Sequence, residues 1–437
     1  MPLAGRAPGG AAPGVYDENV VGYNNRRDRY CDGLLMKRIL IVKVTSLGDI
    51  VEALPVIADI KQAFPGVQVD WAADEAFAEV VHWSQRVDRV LCAPLRRFKK
   101  ARRWSDLKAI GASIGELRAY HYDCIIDIQG VYKTAIIAFL ARSSRRVGYR
   151  NKDLGEVGAS FAYTARFGPR PPVSAWEGMR ISAGEALGYQ PEGPPVFDLK
   201  LPETGTTPFE AGGAPVAALF HATSKDDKKW PVAHWGEVGR ELTRRGFRLV
   251  LPWGSPRERE EAEAIAKEVP GATVLPQMSV TEIARMIDAC SLVIGTDTGF
   301  VHVAHALQKR TVMIFVATSR EHFGIEAPYR SISIGDGLSV PPSVKRFRRS
   351  TTCIATRILP GRKRVPSPLS DLSQATAGWP PLVHGGHLNE SFLAKEKRRD
   401  AQSAQLNGRC LGTPLKAPAS GNDGRRGSNM NTTGLHL

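Results

Sequence analysis

Four short segments of the 437-residue chain carry residue types able to move a proton or hold an anion, and each lies where an apolar run gives way to a helical pattern. The first reads Lys43-Val44-Thr45-Ser46-Leu47-Gly48-Asp49. Gly48 permits a tight turn and close approach of a ligand, and Asp49 stands at a helix start, where the helix dipole favours a carboxylate. Two roles are open to that carboxylate: capping its own helix, or removing the proton of a hydroxyl nucleophile. In the second case Ser46 and Gly48 are candidates to contact the acceptor. The second segment, His221 to Pro231, offers the hydroxyls of Thr223 and Ser224 and the ammonium of Lys228, either as an anion cradle at the end of a strand or as a solvated charged loop. The third is Gly295-Thr296-Asp297-Thr298-Gly299-Phe300-Val301-His302. Backbone N–H groups at Thr298 and Gly299 can meet a phosphate at a helix N-terminus, with Asp297 left to accept sugar hydroxyls, unless Asp297 or Thr298 merely closes the helix. His302 reads as a local hydrogen-bonding residue rather than a proton shuttle. The fourth runs from Leu251 to Glu258, whose carboxylate either accepts ribose hydroxyls or caps the next helix.

Two series of alternating strands and helices must position these segments. In the first, strands are expected over residues 38–45, 67–72, 87–92 and 122–128, and helices over 50–64, 104–120 and 132–142. The second series has strands at 216–221, 248–252, 273–276, 292–295 and 311–316, with helices at 235–244, 258–269, 280–289 and 300–307. Alternation of this kind implies parallel sheets built from βαβ units. The expected organisation is a Rossmann-like domain over 36–190, a linker over 191–214 rich in Pro, Gly, Thr and Glu, and a second Rossmann-like domain over 215–344. Two doubly wound α/β domains facing each other place a ligand in the cleft outside the carboxyl ends of both sheets. Residues 1–35 read as a disordered extension or as sequence preceding a true start at Met36. Residues 345–437 lose all sustained periodicity and read as an atypical, basic, disordered tail or the product of a frameshift; the elements that should close the second domain are missing from the pattern.

The formal net charge of +15 suggests a polyanionic partner until it is located along the chain. Residues 345–437 hold 16 basic and 5 acidic side chains, whereas residues 36–344 hold 39 and 35. The patterned region is nearly balanced, which removes the support for nucleic-acid binding. The densest basic cluster of that region comprises Arg96, Arg97, Lys99, Lys100, Arg102 and Arg103, with Phe98 inside it and Trp104 after it. A solvated face explains such a run, and so does an anionic lipid surface. The six cysteines form no close pair, so neither a disulfide framework nor a zinc site is indicated. No apolar run reaches the roughly 18 residues of a spanning helix, and no secretory signal opens the chain; a cytoplasmic protein is expected.

KVTSLGD at 43–49, DDKKWP at 226–231, LPWG at 251–254 and TDTGFVH at 296–302, in that order, resemble the heptosyltransferase family of lipopolysaccharide core synthesis over roughly residues 36–342. The resemblance implies a GT-B architecture and an inverting, metal-independent glycosyl transfer without cofactor. It implies ADP-L-glycero-β-D-manno-heptose as donor and the first Kdo of Kdo2-lipid A as acceptor, at the cytoplasmic face of the inner membrane. Asp49 matches the family's base. Thr223, Ser224, Lys228, Thr298 and Gly299 match the groups around the donor diphosphate, Asp297 a heptose contact, and Glu258 and Met278 the nucleoside pocket. Arg96 and Arg97 coincide with acceptor-binding arginines, to which Lys99 and Lys100 are adjacent. A carboxylate to activate the sugar hydroxyl, and Lys228 with a helix N-terminus to offset the charge on departing ADP, are what such a transfer requires in the absence of a metal.

Overall fold

The computed structural model describes residues 36–94, 103–203, 209, 213–327 and 329–337. The extensions at 1–35 and 345–437 and the cluster Arg96, Arg97, Lys99 and Lys100 lie outside these residues. The first sheet comprises β1 (Arg38–Val42), β2 (Gln68–Asp74), β3 (Arg89–Ala93), β4 (Cys124–Asp127), β5 (Arg146–Tyr149) and β6 (Ala165–Phe167). The second comprises β7 (Val216–Phe220), β8 (Arg248–Leu251), β9 (Thr273–Val274), β10 (Leu292–Thr296), β11 (Thr311–Ile314) and β12 (Ser331–Ile334). All neighbouring strands are parallel. Their orders, β3-β2-β1-β4-β5-β6 and β12-β11-β10-β7-β8-β9, are one connectivity used twice. In each half the strand order reverses beside the first strand, between β1 and β4 and between β7 and β10, and at such a point the connections diverge to leave a crevice.

β1 shows why these runs are apolar throughout rather than alternating. Ile39 and Ile41 enter a core on one face of the sheet while Leu40 and Val42 enter a second core on the other, so both sides of the strand leave water. β7 repeats this with Ala218 and Phe220 against Ala217 and Leu219. The helices of the first half are α1 (Leu47–Ala53), α2 (Pro55–Ala63), α3 (Ala78–His82), α4 (Trp104–Leu117), α5 (Tyr132–Leu140) and α6 (Ala175–Leu187). Those of the second are α7 (Val232–Arg244), α8 (Pro256–Glu268), α9 (Val280–Ala289), α10 (Gly299–Ala306) and α11 (Arg320–Phe323). One apolar cluster runs from the inner face of the first sheet, through residues of α1, α2, α3 and α6, into α9, α10 and the inner face of the second sheet.

Several expectations need correction. The helix expected at 50–64 is two helices, because Pro55 cannot continue the hydrogen-bond ladder of α1 and instead takes the first position of α2. β5, β6 and α6 have no counterpart in the predicted pattern; the two strands are only 4 and 3 residues long and carry arginines. The second sheet gains a sixth strand that was not expected: β12, a Ser-Ile-Ser-Ile strand too polar to read as buried, pairs along β11.

Candidate functional site

Each of the four chemical segments leaves the carboxyl end of a strand, three of them directly from β1, β7 and β10 at the two switch points. At the end of β1, Ser46 takes the N-cap of α1 and Asp49 its third position. Asp49 Oδ2 accepts the Ser46 backbone N–H at 2.9 Å and the Ser46 hydroxyl at 2.6 Å, so the capping role is real. It does not exhaust the side chain. Asp49 Oδ1 lies 3.3 Å from Lys43 Nζ, and the side chain remains 38% exposed while that of Lys43 is only 8% exposed. Burial alone raises the Asp49 carboxyl, but the Lys43 charge and the Ser46 hydrogen bonds outweigh it and hold the group below its ordinary value. The result is a fixed, ionised, accessible carboxylate. From the β4 side, Gln129 Oε1 accepts the Val44 N–H at 2.9 Å, and the Thr45 hydroxyl takes hydrogen bonds from Gln129 Nε2 at 3.0 Å and Lys133 Nζ at 2.7 Å.

In the second domain, Thr298 takes the N-cap position of α10 without a side-chain capping hydrogen bond, and the N–H groups at the helix start point out of its first turn. Thr223 is buried beneath this turn and donates to the Asp297 carbonyl at 3.4 Å, whereas Ser224 is exposed. Asp297 already has protein partners. Its Oδ2 accepts from Lys228 Nζ at 2.7 Å and from the Thr318 hydroxyl at 2.7 Å. Burial raises this carboxyl too, yet His302 and Lys228 outweigh it and hold the group far below the carboxylate range. Glu258 performs the capping role for α8: its Oε2 accepts the N–H groups of Gly254 and Ser255 at 2.8 and 2.9 Å, and the residue is buried. Met278 is partly buried against the central core.

Two further residues were not legible as functional. Glu52 and His302, each about 5% exposed at the side chain, meet where α1 faces α10, with Glu52 Oε1 3.3 Å from His302 Nδ1. His302 Nε2 is 3.7 Å from Asp297 Oδ1. His302 is therefore not local, because it links the two halves of the molecule. The available signal was Glu52 itself, a carboxylate in the otherwise apolar stretch Ile50-Val51-Glu52-Ala53-Leu54, one turn after Asp49. Burial raises Glu52 to about 7, with His302 opposing and Asp49 adding to the rise. His302 is also raised: burial lowers it, but the carboxylates of Glu52, Asp297 and Asp49 prevail. Gly48 has a close neighbour from the other domain: a Cβ there would lie 3.0 Å from His302 Cδ2 and 3.4 Å from Gly299 Cα. Asp49, Lys43, Glu52, His302, Asp297, Lys228 and the start of α10 thus form one continuous polar array between two switch points.

The description glycosyltransferase family 9 (heptosyltransferase) matches residues 110–348 of the chain. The chain belongs to this family. Lipopolysaccharide heptosyltransferase 1 of Escherichia coli K12 is 34% identical over 285 residues, which is 64% of this chain and 88% of that protein. The solved structure of E. coli heptosyltransferase WaaC with ADP superimposes with a TM-score of 0.64 at 30% identity, covering 72% of this chain and 98% of that one. The same enzyme with ADP-2-deoxy-2-fluoro heptose gives a TM-score of 0.61. The GT-B arrangement of two facing Rossmann-like sheets is accordingly that of family 9, and this member is a glycosyltransferase. Within the family-9 frame, the carboxyl ends of β1, β7 and β10 supply one exposed carboxylate on the first domain, and a lysine with a helix N-terminus on the second. Among the described residues no group of three or more His, Cys, Asp or Glu is placed to hold a metal ion.

Proposed function

We propose that the chain is an inverting heptosyltransferase that moves L-glycero-D-manno-heptose from ADP-heptose to the first Kdo of Kdo2-lipid A. The observation that carries this reading is the opposition of Asp49 on α1 to Lys228 and the Thr298-Gly299 helix start across the contact of Leu47 with Gly299. Asp49 takes the proton of the Kdo hydroxyl as its oxygen bonds to the anomeric carbon. The bond from that carbon to the diphosphate oxygen breaks on the opposite face, its electron pair leaves with ADP, and the configuration inverts. Lys228 and the N–H groups of α10 offset the charge that ADP gains, so the reading requires no metal or other cofactor. Lys228 has three donors, of which Asp297 occupies one, so the ammonium can be held in place by Asp297 while facing a diphosphate. Thr223 and Ser224 border the diphosphate, Asp297 the heptose, and Glu258 and Met278 the nucleoside. Ser46 and Gly48, with Arg96, Arg97, Lys99 and Lys100, belong to the acceptor side. Such an enzyme works at the cytoplasmic face of the inner membrane, where its lipid acceptor resides. The similarity to a relative named heptosyltransferase 1 supports the choice of acceptor.

Turnover of ADP-heptose with Kdo2-lipid A by the full chain, followed by ADP release and product mass, tests this directly. Added chelator is expected to leave the rate unchanged. Asp49→Asn preserves the helix cap but removes the base, and should lower kcat about 10²–10⁴-fold with little change in donor KM. Wild-type kcat in a folded Asp49→Asn protein removes Asp49 from the mechanism, and preference for an already heptosylated acceptor reassigns the substrate.

A further inference from the structure

One apolar surface on the first domain takes no part in the site. Along α5, Tyr132, Ile136 and Phe139 recur at four- and three-residue spacing and so share one side of the helix. That side faces outward: the three residues are 48, 44 and 56% exposed, while Thr134, Ala135, Ile137 and Ala138 are buried. The segment after β5 extends the stripe. The Tyr132 hydroxyl donates to the Val157 carbonyl, and the Phe139 ring centroid lies 6.0 Å from that of Phe161. Val157 and Phe161 are themselves 87 and 54% exposed. Single exposed apolar residues are ordinary, but a contiguous set with three aromatic rings marks an interaction surface.

Charge identifies the partner. Residues 132–170 contain eight lysines and arginines against Asp153 and Glu156, a surplus of six, whereas the whole of residues 36–344 has a surplus of four. Exposed aromatic and aliphatic side chains in a segment that also exposes Arg142, Lys152 and Arg166 suit the headgroup boundary of an anionic bilayer, where rings enter the boundary and cations meet phosphates. A second copy of the chain would instead set this positive surface against itself. The position fits as well. α5 starts beyond the carboxyl end of β4, and Lys133 at its first turn holds Thr45, next to Ser46 of the Asp49 loop.

We propose that the α5 stripe, with Val157 and Phe161, seats the first domain on an anionic membrane surface, so that the sugar of a lipid acceptor reaches Asp49 while its acyl chains stay in the bilayer. The proposal rests on the lipid-acceptor reading given above.

Flotation of the full chain with phosphatidylcholine vesicles, with and without phosphatidylglycerol, tests it. Basic segments elsewhere in the chain attach by charge alone, so the comparison is made at low salt and at about 0.5 M salt, where the Debye length falls to a few Å. Wild type is expected to float with the anionic vesicles and to remain in part at high salt. The triple variant Ile136→Gln, Phe139→Gln, Phe161→Gln should lose at least about tenfold in high-salt partitioning while retaining its turnover on detergent-dispersed acceptor. If the triple variant loses that turnover, Val157→Gln alone carries the comparison. Equal flotation of variant and wild type, or no flotation of wild type, overturns the proposal and leaves transfer in detergent untouched. A wild-type dimer that the triple variant converts to monomer, without vesicle binding, also overturns it. Patch-dependent flotation in a protein that transfers no heptose supports the surface and sinks the transferase reading instead.

Discussion

Lys43 and Asp49 are six residues apart and are brought together by the turn that ends β1. Three influences act on the Asp49 carboxyl: burial, which raises it, and the Lys43 ammonium and Ser46 hydrogen bonds, which together prevail and lower it. A carboxyl held below its usual value of 3.8 is ionised across the neutral range, so loss of the base form is confined to strongly acidic pH. Lys43→Met keeps the stem of the side chain and removes the charge, leaving burial less opposed. The acid limb of the kcat/KM profile should then move to higher pH, with the plateau lowered by less than the loss seen in Asp49→Asn. An acid limb that stays in place would assign the lowering to Ser46 and not to Lys43. Lys228 and Asp297 form the corresponding pair on the donor side, with Thr318 fixing the second carboxylate from the segment after β11.

Two helix starts from different domains touch through glycine. A Cβ on Gly299 would lie 2.8 Å from Leu47 Cβ and 2.9 Å from its Cγ and Cδ2, which no packed structure tolerates without movement. Replacing a helical glycine by alanine ordinarily stabilises by about 0.5–1 kcal/mol. At Gly299 overpacking of about 1–3 kcal/mol opposes and exceeds that gain. Gly299→Ala should therefore lower Tm, and by displacing α10 from α1 it should reduce kcat/KM by roughly 10–100-fold. Gly111 in exposed α4 is the control: an added Cβ there meets nothing within 4 Å, and Gly111→Ala should raise Tm slightly. A higher Tm in both variants would show that α1 and α10 are not held in this contact.

Across the molecule, Glu52 and His302 make the boundary between the two halves sensitive to pH. Both groups are raised above their ordinary values of 4.5 and 6.5, so the folded chain holds protons there that the unfolded chain releases. The stability linked to Glu52 is fully present below about 4.5 and is lost as pH rises through about 7. The share linked to His302 is fully present below 6.5 and is lost as pH rises through its raised value. Stability should therefore fall from slightly acidic to alkaline pH. Glu52→Gln keeps the shape and an oxygen acceptor towards His302 while removing the ionisable group, and calorimetric Tm measured between pH 6 and 9 should fall less steeply than in wild type. An equally steep fall in the variant would place the titration elsewhere, with Asp49, Lys43 and Asp297 the charged neighbours to examine.

The residues by themselves determined the repeated strand–helix alternation, because both-faced burial writes continuous apolar runs such as Ile39 to Val42, and helix starts are marked by short-range capping chemistry. The positions of Asp49, Lys228 and Thr298-Gly299 were legible for the same reason: each lies within a few residues of a strand end, and strand ends in parallel sheets are where ligands bind. The lengths of α1 and α2, the polar strand β12, and the pairing of Asp297 with Lys228 depended on neighbours distant in sequence and were misread or missed. Only the tertiary structure decided what Gly48 and Gly299 accommodate and why Glu52 and His302 are buried. A glycine shows that close approach is permitted without naming what approaches, and a buried charge declares its purpose only when its partner arrives from another domain.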